Sequence, residues 1–391
     1  MLKDFSVQSL FMGCLVAFVG FASTFAVVLH GLMGVGATEA QAASGLMALS
    51  IAMGLCGLLL SLVTRKPLSV AWSTPGAALL VTAGVPDGGF PAAVGAFLMT
   101  AVLLIAAGLF RPIGRAIAAI PSAVANAMLA GVLITLCFAP VKAVGQSPLL
   151  GLPIVLAWLI AGRFNRLLAV PAALAAFVLV LIFGVDVPSG ALSQLSGKLV
   201  PEPHVIWPVF TAASFVSIAL PLFIVTMASQ NIPGIAVLKV NGYTPEPGPL
   251  FTATGVGSLL AAPFGALSIN LAAITAAMCA GEDAHHDPAR RYWAGMIAGI
   301  GYILFGLLAG AVTALVSLAP PILIEAVAGL ALVGAFSASA LAAFKDVETR
   351  EAAAVTFLVS AAGIPFGGVS AAFWGLICGL LVLGLGRVLK R

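Results

Sequence analysis

Two short polar stretches in an otherwise apolar chain carry residue types that can hold an anion without a fixed cation. The first is Ser73-Thr74-Pro75-Gly76. A hydroxyl able to cap a helix start is followed within two residues by proline, whose missing N–H and preset φ suit a first turn. From Pro75 to the next breaker at Gly84-Val85-Pro86 there are about ten residues, half of the roughly 20 that cross a bilayer as helix. The stretch reads as an extended entry through Ser69, Val70 and Ala71, then a half-helix starting in mid-membrane. Its free N–H groups and positive dipole end point at whatever lies there. The second stretch, Ser268-Ile269-Asn270, opens another short segment and echoes the first 195 positions later. Two such helix ends facing each other can hold a carboxylate. The alternative is that Pro75 and Asn270 kink ordinary spans.

Other residues could assist. Ser229-Gln230-Asn231 places three polar side chains at the end of an apolar run, which is expensive in lipid unless they face protein or water. Gln230 and Asn231 either donate to a bound carboxylate or satisfy the ends of the two short segments; the alternative is that they sit at the cytoplasmic interface before Lys239. Phe18, Phe21 and Phe25, with Ser23 and Thr24, offer an aromatic wall. Glu325 is the one acid placed well inside a span, which makes it a proton-coupling candidate unless it lies near the outer interface after Pro320-Pro321. His285-His286 looks metal-like but falls in a short loop before Arg290-Arg291 and reads as a solvated turn. The five cysteines lie in apolar segments without CxxC spacing and read as small hydrophobes. No nucleophile, phosphate-loop or zinc pattern occurs in a usable context, so neither an enzyme nor a cofactor is indicated.

The rest of the chain must position these residues in a membrane. Of 391 residues 62% are hydrophobic and 8% charged, with mean hydropathy +1.19, a composition that cannot cover a soluble surface. Cutting at polar and Pro/Gly clusters gives about fourteen segments, from about 8–32 to about 369–388. The third (about 68–84) and tenth (about 268–281) are too short to cross as helix alone, and one near 149–162 is marginal. A helix start is expected at Thr38. With the N-terminus inside, fifteen Lys and Arg fall on the inner side and only Lys142 and Lys198 on the outer. That asymmetry places both termini in the cytoplasm. Scattered singly over short loops, these cations do not suggest nucleic acid. Ile120-Pro121 before Gly131 is echoed by Pro320-Pro321 before Gly329, about 200 positions on. Seven segments per half, an odd number, make the two halves inverted repeats. The expected fold is an all-α polytopic membrane protein, a 7+7 inverted repeat with strand-plus-half-helix segments at Ser69–Ala71 and Ala266–Ser268.

Ala219-Leu220-Pro221-Leu222-Phe223-Ile224-Val225-Thr226-Met227-Ala228-Ser229-Gln230-Asn231-Ile232-Pro233-Gly234, then Lys239 and Asn241-Gly242-Tyr243, resemble the benzoate:proton symporter family of bacterial inner membranes. So do Ala262-Pro263-Phe264-Gly265-Ala266-Leu267-Ser268-Ile269-Asn270-Leu271-Ala272-Ala273-Ile274-Thr275-Ala276-Ala277 and Trp72-Ser73-Thr74-Pro75-Gly76. That family is distantly similar to the uracil-permease and sulfate-transporter architecture. The resemblance implies a core domain (1–112 and 205–316) and a gate domain (113–204 and 317–391). It also implies import of benzoate or a related aromatic carboxylate with a proton, by alternating access. Where nucleobase relatives carry glutamates, this chain has Gln230 and Thr275, and neutral residues suit an anionic substrate. The carboxylate is then expected at Ser73, Thr74, Gly76, Ser268, Ile269 and Asn270, with Gln230 and Thr275 in support and Phe21 against the ring. A nucleobase or inorganic-anion permease, or an anion channel, stays open as an alternative. Homodimerisation is likewise left open.

Overall fold

A computed structural model describes residues 4–22, 24–110, 112, 121–184, 200–272, 274–311, 313, 319–364, 366 and 371–389. Lys3, Ser23, Arg111, Arg115, Ile120, Lys198, Ala273, Lys390 and Arg391 lie outside the described residues.

The apolar runs form helices because helix satisfies every backbone polar group within one segment. Six among the described residues are long and apolar enough to cross a bilayer: Val7–Gly34, Glu39–Thr64, Gly89–Leu109, Ser122–Gln146, Ala212–Lys239 and Pro321–Phe344. The first breaks into α1 (Val7–Ala22) and α2 (Phe25–Gly34). Next comes α3 (Glu39–Thr64), opened by a capping box in which Thr38 and Gln41 exchange hydrogen bonds. The strand β1 (Val70–Trp72) leads into α4 (Thr74–Ala83) and α5 (Gly89–Leu109). Then come α6 (Ser122–Cys137), α7 (Ala139–Gln146), α8 (Pro148–Phe164) and α9 (Ala169–Gly184). The long helix α10 (Ala212–Lys239) contains two π turns, Phe215–Ala219 and Met227–Asn231. It runs ten residues past the expected end of its segment near 229. After α11 (Pro247–Ala261) comes β2 (Ile269–Leu271), then α12 (Ile274–Ala280) and α13 (Tyr292–Leu307). The chain closes with α14 (Pro321–Phe344), α15 (Arg350–Ala362) and α16 (Ala371–Leu389).

The hinge of the fold is small. β1 and β2 pair antiparallel with Val70 opposite Leu271, Ala71 opposite Asn270 and Trp72 opposite Ile269. Each strand feeds a short helix, and because the strands are antiparallel the two helices leave in opposite directions. With 10 residues, α4 is about 15 Å long against a hydrocarbon core of about 30 Å. Two expectations need correction here. The strands stand at Val70–Trp72 and Ile269–Leu271, not at Ser69–Ala71 and Ala266–Ser268. Ser268-Ile269-Asn270 does not open a helix: it enters and forms β2, and α12 starts at Ile274. The physical reason is the cross-strand ladder, which occupies the backbone of Ile269–Leu271 before any helical bond can form.

Around the ribbon the helices sort into two packing groups. In one, α13 lies against α3 and α1, α5 against α11, and α2 against α4. In the other, α6 lies against α14 and α15, α15 against α16, and α8 against α9. The groups touch where α2 meets α14, where α4 meets α6, and where the second π turn of α10 meets α6.

Candidate functional site

The site grows from the crossing of the two strands. Ser73 is the N-cap of α4, its Oγ accepting from Gly76 N at 3.2 Å. Its own N–H donates to Ser268 O at 3.0 Å. Pro75 has no N–H. Of the N–H groups that open α4, only that of Thr74 therefore lacks a protein acceptor among the described residues, and Thr74 is half-buried, not sealed. One donor at the positive end of a helix dipole is left for a ligand.

Behind it runs a chain of buried hydroxyls. Ser73 Oγ lies 2.8 Å from Thr226 Oγ1, which lies 3.2 Å from Ser268 Oγ; all three residues are fully buried. Ser69 Oγ and Thr275 Oγ1 are 2.8 Å apart, tying the entry to β1 to α12. The Asn270 amide is satisfied with its oxygen accepting from Ser73 N at 3.0 Å and its nitrogen donating to Leu271 O at 2.9 Å. Ile269 is held by Ser258, whose Oγ accepts from Ile269 N at 2.9 Å.

The π turn Met227–Asn231 does the rest. Such a turn adds one residue to the helical cycle and rotates the side chains beyond it. It turns Asn231 inward: the side chain is fully buried, Oδ1 accepts from Leu271 N at 2.9 Å and Nδ2 lies 3.3 Å from Met227 Sδ. Asn231 thus does not sit at an aqueous interface. Gln230, one position earlier, is half-buried and keeps its amide uncommitted among the described contacts.

Of the nine binding residues expected from sequence, Ser73, Thr74, Gly76, Ser268, Ile269 and Asn270 meet at the strand crossing, with Thr275 a layer behind. Phe21 stands apart. Its ring is 4% exposed and packs against Phe25, Trp72 and Phe305 at centroid distances of 5.7, 5.5 and 5.1 Å. Its faces are taken by protein, so it braces Trp72, whose Nε1 donates to Thr24 Oγ1 at 2.8 Å. The candidate site also takes in Thr226, Ser69 and Ser258, which sequence reasoning does not place among the binding residues, and Asn231, which it offers as a carboxylate donor or helix-end partner; the signal each carries is a polar side chain in an apolar run.

The far end of α12 is closed by Arg291. This buried guanidinium donates to Ala280 O at 2.7 Å and to His285 O at 2.6 Å, a cation at a helix C-terminus. His285 is buried, not a solvated turn residue, and its Nδ1 accepts from Asp287 N at 2.9 Å. Tyr243 donates to Pro288 O at 2.8 Å, and burial raises its phenol pKa against an opposing pull from Arg291.

A protein-family model described as benzoate membrane transport protein matches residues 3–385. The inner membrane protein YdcO of Escherichia coli (strain K12) is 40% identical over 374 residues, 95% of this chain and 94% of that one. The benzoate membrane transport protein of Acinetobacter baylyi (strain ATCC 33305 / BD413 / ADP1) is 33% identical over 387 residues, 97% and 95%. Among solved structures, the transmembrane domain of the cyanobacterial bicarbonate transporter BicA superposes with TM-score 0.58 at 16% identity, over 98% of this chain and 97% of that one. The overall structure of SLC26A9 superposes with TM-score 0.60 at 14% identity, over 100% and 67%. At these identities the two structures show a shared fold. With an all-α membrane fold built on paired half-helices and a family match over nearly its whole length, this chain belongs to the benzoate membrane transport protein family and is a membrane transporter.

Proposed function

We propose that this transporter imports benzoate or a related aromatic carboxylate together with a proton, by alternating access. The observation that carries the reading is the start of α4, where the Thr74 N–H is left open among neutral hydroxyls and amides. A carboxylate gains a charge-assisted bond there, and the described residues at the strand crossing include no Asp or Glu to repel it. In this reading residues 1–112 and 205–316 move as a core against a gate of 113–204 and 317–391, with both termini cytoplasmic in a bacterial inner membrane. The two packing groups support that division. Gln230 supplies a further donor to the substrate, and Glu325 takes the proton.

Reconstituted vesicles test it. With the outside acid, labelled benzoate is expected to accumulate above equilibrium, and a protonophore is expected to abolish the accumulation. Saturable uptake of uracil or sulfate without benzoate would overturn the substrate. Benzoate that equilibrates but never accumulates would mean a channel. Asn270→Ala and Gln230→Ala are each expected to raise KM for benzoate about tenfold, the equivalent of about 1.4 kcal/mol of binding, while the protein still elutes as a folded species. Unchanged kinetics in both would remove these residues from the site.

A further inference from the structure

Alongside the strand crossing, α3 and α11 enclose an apolar groove of about 660 Å³. Small residues make room for it: Ala52 and Cys56 on α3, Ala253 and Gly257 on α11. Leu55, Leu59, Val256 and Leu260 line it and are exposed, so the groove opens sideways onto the surface of the spanning helices. It follows α3 from Met47 to Leu60, about 20 Å of helix. No residue that lines it carries a charge, a hydroxyl or an amide side chain. Toward the start of α3 the segment before α10 ties the two walls together. There His204 N–H donates to Ser44 Oγ at 2.9 Å and Ile206 N–H donates to Pro263 O at 2.7 Å, and Pro203 and Phe264 line that end. Trp207, next in this segment, is 84% exposed, as an indole at a membrane interface is.

Each wall of the groove holds one strand of the ribbon. Ser61 of α3 donates through Oγ to Leu68 O at 2.9 Å and accepts from Leu68 N at 3.2 Å, two residues before β1. Ser258 of α11 accepts from Ile269 N of β2 at 2.9 Å. A Cβ on Gly257 would come within 2.7 Å of Ile269 Cδ1, so the groove lies directly against β2. The spacing of α3 and α11 is therefore felt by both strands.

Size and chemistry select the occupant. A helix from a second copy, about 10 Å across, takes up about 1,600 Å³ over this length, more than twice the volume of the groove. A carboxylate substrate finds no donor there. A single acyl chain needs no polar partner, and the groove is longer than the roughly 15 Å that one leaflet of hydrocarbon spans. We propose that the groove seats one acyl chain of a membrane phospholipid, and that this chain sets the spacing of α3 and α11 and braces the ribbon. Without it the lining forfeits its dispersion contacts and the walls close. Closing them displaces Leu68 and Ile269, and the strand crossing with them. Only the benzoate arm of the test rests on the substrate reading above.

Photolabelling of the full-length protein in vesicles of phosphatidylethanolamine and phosphatidylglycerol tests the seat. The probe is a trace of phosphatidylcholine carrying a diazirine in mid-chain, whose carbene inserts into C–H bonds. Residues 47–60 and 253–264 are expected to take up at least about fivefold more label than the exposed face of α8, a preference of about 1 kcal/mol. Ala52→Trp, or Ala253→Phe from the opposite wall, fills the groove and should cut that label at least about fivefold, whereas Val63→Trp, on an exposed part of α3 outside the groove, should not. Even labelling of all exposed faces would overturn the seat. So would cross-links between the grooves of two copies, or competition by free oleate but not by unlabelled phospholipid. Stripped of lipid in a detergent with a rigid steroid body, the wild-type protein should bind benzoate about tenfold more weakly and recover when phospholipid is added. The two groove-filling variants should bind benzoate alike with and without phospholipid. Wild-type binding that ignores phospholipid would overturn the bracing. If benzoate binds under no condition, the substrate reading fails, and the labelling still decides the seat.

Discussion

Gly76→Val is expected to reduce benzoate uptake at least about a hundredfold, or about 2.7 kcal/mol, without removing the protein from the membrane. A Cβ at this position would run into Leu222 Cδ1 and approach Ser73 Oγ to 2.7 Å. Leu222 is fully buried in α10, so its Cδ1 must repack among its neighbours to make room. Overpacking of this kind costs about 1–3 kcal/mol, and displacing the Ser73 cap costs about 1 kcal/mol more. Both losses fall on the first turn of α4, which carries the Thr74 N–H proposed to bind the substrate. The long helices do not depend on this contact, so yield and elution volume should change little. Leu222→Ala in the same chain opens the space and should recover part of the uptake. Wild-type uptake by Gly76→Val would show that the start of α4 is not the site.

Asn231 gives the second large effect. Asn231→Ala leaves the Leu271 N–H buried without its acceptor, at a cost of about 1–3 kcal/mol. The penalty falls on the strand opposite Val70, and uptake is expected to fall about tenfold to a hundredfold. Asn231→Asp is the sharper probe, since it keeps the acceptor and nearly the same shape. At about pH 8 its charge is desolvated and repels a carboxylate substrate, so transport should be lost. As pH falls the group is neutralised, the repulsion disappears while an acceptor oxygen remains, and part of the uptake should return. Wild-type rates for Asn231→Asp at about pH 8 would place the substrate carboxylate elsewhere.

How far these residues can be foreseen depends on whether their signal is local. Ser73-Thr74-Pro75 announces a helix start within three positions, and α4 begins at Thr74 with Ser73 as its cap. Thr38 does the same for α3. Ser268-Ile269-Asn270 carries similar side chains but pairs with a strand 200 positions away, a contact no local pattern encodes. The two half-helices begin at Thr74 and Ile274, an offset of 200 that agrees with the proline echo at Pro121 and Pro321. The offset of 195 suggested by the Ser73 and Ser268 side chains tracks polar residue types, not backbone positions. Gln230 and Asn231 are both legible as polar residues in an apolar run, but that Asn231 is the one turned onto β2 is not. A π turn shifts the helical phase by one residue, so counting at 3.6 residues per turn assigns the wrong face. Phe21 is legible as an aromatic near the site, but its stacking on Phe305 joins α1 to α13 through tertiary packing alone.

The two-stranded ribbon also constrains how the protein is made. Val70–Trp72 can complete its ladder only with Ile269–Leu271, about 200 residues later in synthesis. At about 5–20 residues per second, β1 waits roughly 10–40 s for its partner, with open backbone groups that lipid cannot satisfy. The first half of the chain must therefore pass through a stage in which this segment is shielded by water, by neighbouring helices or by the insertion machinery. The strand crossing thus forms late, when the second half arrives.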